Sequence, residues 1–260
     1  MTFEKIRLQF THEERIARIT LAAPKANILD GAMIRELATA FSHCASHALN
    51  AIILDADGPH FSFGASVQEH LPGQIAGTLQ GLHDLLKRIY EAPAPVIAAV
   101  RGQCLGGGFE LTLACDLIIG DKTAQFALPE IKLGVFAPAA SALLPVRVGQ
   151  AVASRLLLTG NAISAEEAGR LGLLAIQAGD LDAELEEWLE SDFLSRSPSS
   201  LKFACHAARL PLRRVFEQEL PELEALYLRD LMATADAEEG IRAFLEKRAP
   251  RWNRPALAEK

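Results

Sequence analysis

The stretch that decides the reading is Gln103-Cys104-Leu105-Gly106-Gly107-Gly108-Phe109-Glu110-Leu111. It follows Pro95-Val96-Ile97-Ala98-Ala99-Val100, an apolar run with the length of a fully buried strand, and it opens a helical run. Successive glycines let a backbone take positive φ and approach a ligand closely. The helix start beyond them offers unpaired N–H groups at the positive end of the peptide dipoles. Such a place stabilises a phosphate or a developing oxyanion. It equally suits a tight strand-to-helix turn that needs close packing, and the tripeptide alone does not choose. Neither nucleotide-binding glycine loop fits, because position 111 is Leu and no Gly-Lys-Ser/Thr follows.

Two acids stand near this loop in apolar surroundings. Glu110 lies between Phe109 and Leu111 on a helix that is apolar nearly all round. Its carboxyl either complements the helix dipole or is held for proton transfer in a dry pocket. Glu130 follows Pro129 in Phe126-Ala127-Leu128-Pro129-Glu130-Ile131-Lys132-Leu133-Gly134. By itself it reads as a loop or helix-start residue. Together, two such acids can divide base and acid duty across one substrate. A third element, His60-Phe61-Ser62-Phe63-Gly64-Ala65-Ser66, also follows a buried strand, so its amides can meet those of the glycine loop.

Working outward, strands are expected at residues 5–10, 16–22, 51–54, 95–100 and 116–120, and helices at 29–46, 80–91 and 109–115. Asp30 stands where an N-cap belongs. This alternation implies an α/β fold with a parallel or mixed sheet. After Pro138 the chain reads as helix, apart from a short run at 174–177. Ser197-Pro198-Ser199-Ser200 reads as a hinge and N-cap, dividing a core of 1–196 from a helical block of 197–260. The apolar stripe Val215, Leu220, Leu223, Leu226, Leu231 exceeds what a small block can bury alone, which argues for subunit packing.

Composition sets the outer bounds. The 260 residues carry a formal net charge of −7 and are 50% hydrophobic and 23% charged, a globular composition that argues against nucleic-acid binding. Cys44, Cys104, Cys115 and Cys205 are widely spaced without CxxC, so no disulfide framework or zinc knuckle is expected. No apolar run is long enough for a membrane span, and residues 1–10 hold no signal-like region, so the expectation is the cytoplasm. His43 and His47 have zinc-compatible spacing around Cys44 but no visible third ligand, so no metal is expected. The last twenty residues hold Arg242, Lys247, Arg248, Arg251, Arg254 and Lys260, read either as a solvated tail or as a site for phosphates.

These pieces resemble the crotonase (enoyl-CoA hydratase/isomerase) superfamily over essentially the whole length. The resemblance rests on Pro24-Lys25-Ala26-Asn27, Phe63-Gly64-Ala65, the 95–100 strand, Gly106 to Leu111, Ala114-Cys115-Asp116, Pro129 to Gly134, Ala165-Glu166-Glu167-Ala168 with Leu171-Gly172-Leu173, and Glu239-Gly240 through Arg248. It implies a ClpP-like spiral of ββα units with a C-terminal helical trimerisation module, assembled as a trimer or dimer of trimers. It implies an acyl-CoA thioester substrate, with the Ala65 and Gly107 amides as the oxyanion hole and Glu110 and Glu130 as the catalytic acids. Which glutamate is the base stays open. It implies coenzyme A contacts at Lys25, Ala26, Ser66, Val67, Phe244 and Lys247, and no cofactor apart from the coenzyme A carried by the substrate. Phe136 and Pro138 are expected to wall the acyl pocket or to be ordinary core.

Two departures narrow the reading: Ser66 stands where hydratases of fatty-acid oxidation commonly carry Asp, and Gly134-Val135-Phe136-Ala137-Pro138 replaces their Pro-Gly-rich stretch. Residues 25–30 and 63–72 resemble a branch that hydrates a cyclic conjugated dienoyl-CoA in anaerobic benzoyl-CoA degradation. There, water is expected at the far end of the diene and a proton on the ring, giving 6-hydroxycyclohex-1-ene-1-carbonyl-CoA. The rival readings are a general 2-enoyl-CoA hydratase, an isomerase of the same fold needing one acid, and a non-enzymatic acyl-CoA-binding protein.

Overall fold

The computed structural model describes residues 2–23, 25–71 and 74–253, so Pro24, Pro72, Arg254 and Lys260 lie outside the described residues. The chain opens with β1 (Ile6–Thr11) and β2 (Ile16–Leu21), and continues with α1 (Gly31–Cys44), β3 (Ala51–Ala56), α2 (Ile75–Tyr90), β4 (Val96–Val100), β5 (Gln103–Leu105) and α3 (Gly107–Ala114). Then come β6 (Leu117–Asp121), β7 (Gln125–Ala127), α4 (Pro138–Val148), α5 (Gln150–Thr159), β8 (Ile163–Ser164), α6 (Ala165–Arg170), β9 (Ile176–Ala178) and α7 (Leu181–Trp188). The C-terminal block holds α8 (Pro198–Ala208), α9 (Leu210–Arg214), α10 (Leu220–Ala225) and α11 (Ala235–Leu245).

Six strands form the main sheet in the order β1-β2-β3-β4-β6-β9, and β5-β7-β8 form a smaller one. β1 pairs antiparallel with β2, and the remaining ladders of the main sheet are parallel. The buried runs of β3 and β4 follow from helices on both faces. Ile52, Leu54, Val96, Ala98 and Val100 face a core shared with α1, α2 and α3. Their neighbours Ala51, Ile53, Ile97 and Ala99 face a second core with Leu181, Leu185, Leu189 and Phe193. The α/β architecture with a mixed sheet expected from the sequence is therefore present, and both expected N-caps are made: Asp30 accepts from the Met33 amide and Ser197 from that of Ser200.

The differences have local causes. α2 begins at Ile75 rather than near residue 80, because Ile75 and Leu79 continue its buried stripe across Gly77. β5, β7 and β8 are two or three residues long, too short for a period-two signal. β9 starts two residues later than expected, at Ile176. His43 and His47 ring-pack with Phe10, and Cys44 between them is fully buried. Among the described residues no trio of His, Cys, Asp or Glu is grouped to hold a metal, and no helix is long and apolar enough to cross a membrane.

The C-terminal helices are anchored by a buried ion pair. Arg209 is 6% exposed and donates to both Asp116 oxygens, at 2.8 and 2.5 Å. It also donates to the carbonyls of Tyr90, Ala92 and Ala94. Asp116 in turn accepts from the Val96 amide at 2.7 Å, so one pair ties the C-terminal block to the starts of β4 and β6. Leu212, Val215, Phe216 and Leu220 then enter the main core. Removing the guanidinium strands a mostly buried carboxylate and three carbonyls. Arg209→Ala is expected to lose about 3–5 kcal/mol of stability in urea unfolding. Arg209→Lys is expected to recover only part of that, because an ammonium lacks the planar fork.

Candidate active site

The glycine triplet is pinned to the loop after β3 by paired backbone hydrogen bonds. Ser62 donates to Gln103 at 3.0 Å, and Leu105 donates to Ser62 at 2.9 Å. Leu29 and Ala65 form a parallel bridge in which Leu29 donates to Gly64 and Ser66 donates to Leu29. That pattern uses the groups flanking Ala65 and turns its own amide the other way. The Gly107 amide is an orphan of the first helical turn. A Cβ placed on Gly107 would come within 3.3 Å of the Ala65 nitrogen, so the two amides stand side by side. Among the described residues neither has an acceptor.

Each glycine of the triplet has its own reason. A Cβ on Gly106 would lie 2.2 Å from Glu130 Oε1, and the residue sits at φ 50°, which disfavours a side chain. A Cβ on Gly107 would crowd the Ala65 amide, and one on Gly108 would meet the Ser62 Cβ at 2.7 Å. The triplet thus brings an acid, an amide and a neighbouring loop to one place.

All eight residues of α3 are buried, Glu110 among them at 3% exposure. Its Oε1 accepts from the Ala140 amide at 2.9 Å, at the start of α4. Pro138 is the first residue of that helix, where its missing N–H removes no helical bond, and it leaves the Ala140 amide aimed at Glu110. Burial pushes the Glu110 carboxyl above the usual range, and the Ala140 amide and nearby His83 oppose the shift. Glu130 lies in the 3₁₀ turn Pro129–Leu133, closed by Gly134 in the left-handed conformation. Its Oε2 is buried without a hydrogen-bond partner among the described residues. Burial first, and the Glu110 charge second, push its carboxyl up to about 8. Burial thus raises both carboxyls, Glu110 against the Ala140 and Ala139 amides and Glu130 with its Oε2 unpaired among the described residues, an asymmetry that lets a pair hold one proton between them.

The structure distributes the remaining sequence-predicted residues along two regions. Lys25 is exposed, the Ala26 carbonyl accepts from the Phe63 amide at 3.0 Å, and Ser66 and Val67 follow Ala65 directly, so these four border the amide pair. Phe244, 53% exposed, and Lys247 lie at the end of α11. Among the described residues no hydrogen bond or ion pair joins them to that border. Within the basic tail, Arg248 pairs with Glu239 and Glu246, and Arg242 with Glu238. Phe136 packs edge-on to Tyr227 with ring centres 5.4 Å apart.

Comparison with known proteins matches residues 11–255 to the family described as enoyl-CoA hydratase/isomerase. The chain belongs to that family. It is 50% identical over 238 residues to the cyclohexa-1,5-dienecarbonyl-CoA hydratase of Thauera aromatica, covering 91% of this chain and 92% of that one. It is 33% identical to the 2,3-dehydroadipyl-CoA hydratase of Escherichia coli, over 92% of this chain and 96% of the relative. An enoyl-CoA hydratase structure from Mycobacterium avium superposes with a TM-score of 0.86 at 28% identity, covering 97% of this chain and all of that one. The protein is thus an enzyme of the hydro-lyase type acting on acyl-CoA thioesters.

Around the two acids of this hydratase-family site stand polar residues that sequence reasoning missed. His83 on α2 is buried and bonds Glu224 of α10 through Nδ1 at 2.8 Å. Tyr227 is 1% exposed. Both sit in amphipathic helical runs, where nothing separates them from core positions. Gly106→Ala is expected to displace the Glu130 carboxylate and cut turnover at least ~100-fold, the cost of misplacing a reacting group by about 1 Å. Gly77→Ala, where an added Cβ meets nothing within 4 Å, is the control and is expected to leave steady-state turnover unchanged.

Proposed function

We propose that the protein adds water to cyclohexa-1,5-diene-1-carbonyl-CoA, giving 6-hydroxycyclohex-1-ene-1-carbonyl-CoA, in the cytoplasmic degradation of benzoyl-CoA. The observation that carries the chemistry is the unequal pair of carboxyls beside two adjacent free amides. What supports the ring is the 50% identity to a relative named for that substrate, against 33% to the hydratase of an open-chain acyl group. The four free cysteines, all buried, suit a reducing compartment.

In this reading the Ala65 and Gly107 amides donate to the thioester oxygen. Each such donor is worth roughly 3–4 kcal/mol as charge develops there. Glu110, its carboxylate held by the Ala140 amide, takes a proton from water while the water oxygen bonds to the carbon β to the thioester. The electron pair moves through the diene onto the thioester oxygen as a dienolate. Glu130, neutral because it is buried beside Glu110, gives its proton to the far end of that dienolate. The remaining double bond then conjugates with the thioester, and the hydroxyl sits on the carbon numbered 6 in the product. Following the electrons thus reverses the order expected from the sequence: the hydroxyl enters near the thioester and the proton at the far end. A proton passed from Glu110 to Glu130 restores the starting state.

Lys25, Ala26, Ser66 and Val67 form the rim for coenzyme A in this reading. Phe244 and Lys247 approach the nucleotide of a neighbouring subunit in a trimer or dimer of trimers. Exposed Leu158 and Phe203, at 72% and 71%, support burial of these helices against another copy.

The test is turnover of the cyclic diene against crotonyl-CoA, followed by product mass. The cyclic substrate is expected to be hydrated at least ~10-fold more efficiently, the lower end of what pocket fit can discriminate. Preference for crotonyl-CoA would replace the ring reading with a general hydratase. Glu110→Gln and Glu130→Gln are each expected to cut the rate by ~10²–10⁴ while substrate still binds. Since Glu130 must be neutral to donate, the hydration rate is expected to fall as pH rises through about 8. A rate that stays flat to well above that value would remove Glu130 from the role of acid.

A further inference from the structure

A second buried polar group faces the same place as Glu130 and has no assigned task. Tyr227 lies in the π-helical turn Leu226–Leu231, and its hydroxyl is buried with no hydrogen-bond partner among the described residues. Such turns insert an extra residue into a helix and recur at functional sites. Here the turn changes which side chain points inward. The apolar stripe read from the sequence ran through Leu226 and passed over Tyr227, yet Leu226 is 45% exposed and Tyr227 is 1% exposed.

The ring is held from two sides. It packs edge-on to Phe136 and shares an apolar cluster with Val135, Ile75 and Ile241. The Val135 amide donates to the Glu130 carbonyl at 3.2 Å, so the segment under the ring is the one that carries Glu130. One turn earlier, Glu224 binds the buried His83 of α2, fixing this helical stretch against the site. The hydroxyl is near enough to the acids for the charges of Glu130 and Glu110 both to oppose its ionisation, so it stays a neutral donor.

We propose that the Tyr227 hydroxyl contacts the reacting part of the substrate, donating a hydrogen bond to the oxygen of the water that Glu110 activates. The water has two lone pairs: one accepts from Tyr227 and the other attacks the ring, while one of its protons faces Glu110. The donor bond fixes the direction of attack. In the reverse reaction the same bond stabilises the departing hydroxyl. This role rests on the hydration reading above and adds to it a residue from the C-terminal block.

Tyr227→Phe and Tyr227→Leu decide the matter, assayed as full-length proteins on the cyclic dienoyl-CoA and, in reverse, on its hydroxylated product. Tyr227→Phe keeps the ring on Phe136 and loses only the hydroxyl. It is expected to lower kcat by about 10- to 100-fold in both directions, with KM and the alkaline limb unchanged, as for loss of one preorganised donor. Full kcat in Tyr227→Phe with a deficit only in Tyr227→Leu would make the residue a packing element and overturn the proposal. A rise in KM alone in Tyr227→Phe would also overturn it, by assigning the hydroxyl to ground-state binding. Wild-type protein that hydrates crotonyl-CoA but not the diene would defeat the ring reading first, and this role with it.

Discussion

The site depends on one steric constraint: three consecutive positions of the backbone must pass within contact distance of three different groups. At Gly106 the neighbour is a carboxyl, at Gly107 an amide, and at Gly108 a serine side chain. No residue with a Cβ meets these distances without displacing something. β4, which leads through β5 into the triplet, supplies the rigidity, because it is wholly buried between two cores. The helix after it supplies the orphan amides and carries Glu110 into the interior. The triplet therefore reconciles the two readings that its sequence leaves open. It is a close-packed strand-to-helix turn, and the close packing is what sets a second amide and a second acid beside the helix start.

Electrostatics follow from that geometry. A carboxyl buried without a donor is held neutral, and one that accepts backbone N–H bonds tolerates its charge. Glu110 accepts from the Ala140 amide, whereas Glu130 leaves its Oε2 without a partner among the described residues, and burial raises both. The difference comes from Pro138, which begins α4 without wasting an amide and leaves the next free N–H groups to Glu110. The C-terminal block takes part as well. It enters the core through Arg209 and Asp116 and brings Tyr227 to the far side of the Glu130 segment. Helices stand on both sides of Ser197, and those beyond it bring Arg209 to Asp116 and Tyr227 to the Glu130 segment.

Much of this was legible in the sequence, and the exceptions share a cause. The β3 and β4 runs, the Asp30 and Ser197 caps, and both glutamates carry local signals: an unbroken apolar run, a capping side chain, an acid among apolar neighbours. The meeting of residues 62–65 with the triplet was open to suggestion only, since backbone pairing between loops leaves no periodicity. Tyr227 was hidden because the apolar stripe assumed 3.6 residues per turn, and the π turn breaks that count at Leu226. The basic C-terminal residues were read without two of their acidic partners. Counting charges over the last residues left out Glu238 and Glu239, one turn earlier, which take up Arg242 and Arg248.

The central claim is that one carboxyl of the pair carries a proton at neutral pH and that it is Glu130. Infrared difference spectroscopy of the protonated carboxyl band tests it directly, in wild type and in the two single glutamine variants. A band present at pH 7 that titrates away near pH 8, is absent in Glu130→Gln, and persists in Glu110→Gln at a lower midpoint is the expected result. A Glu130 that titrates near the ordinary carboxylate value of about 4.3, or a band that belongs to Glu110, would contradict the account.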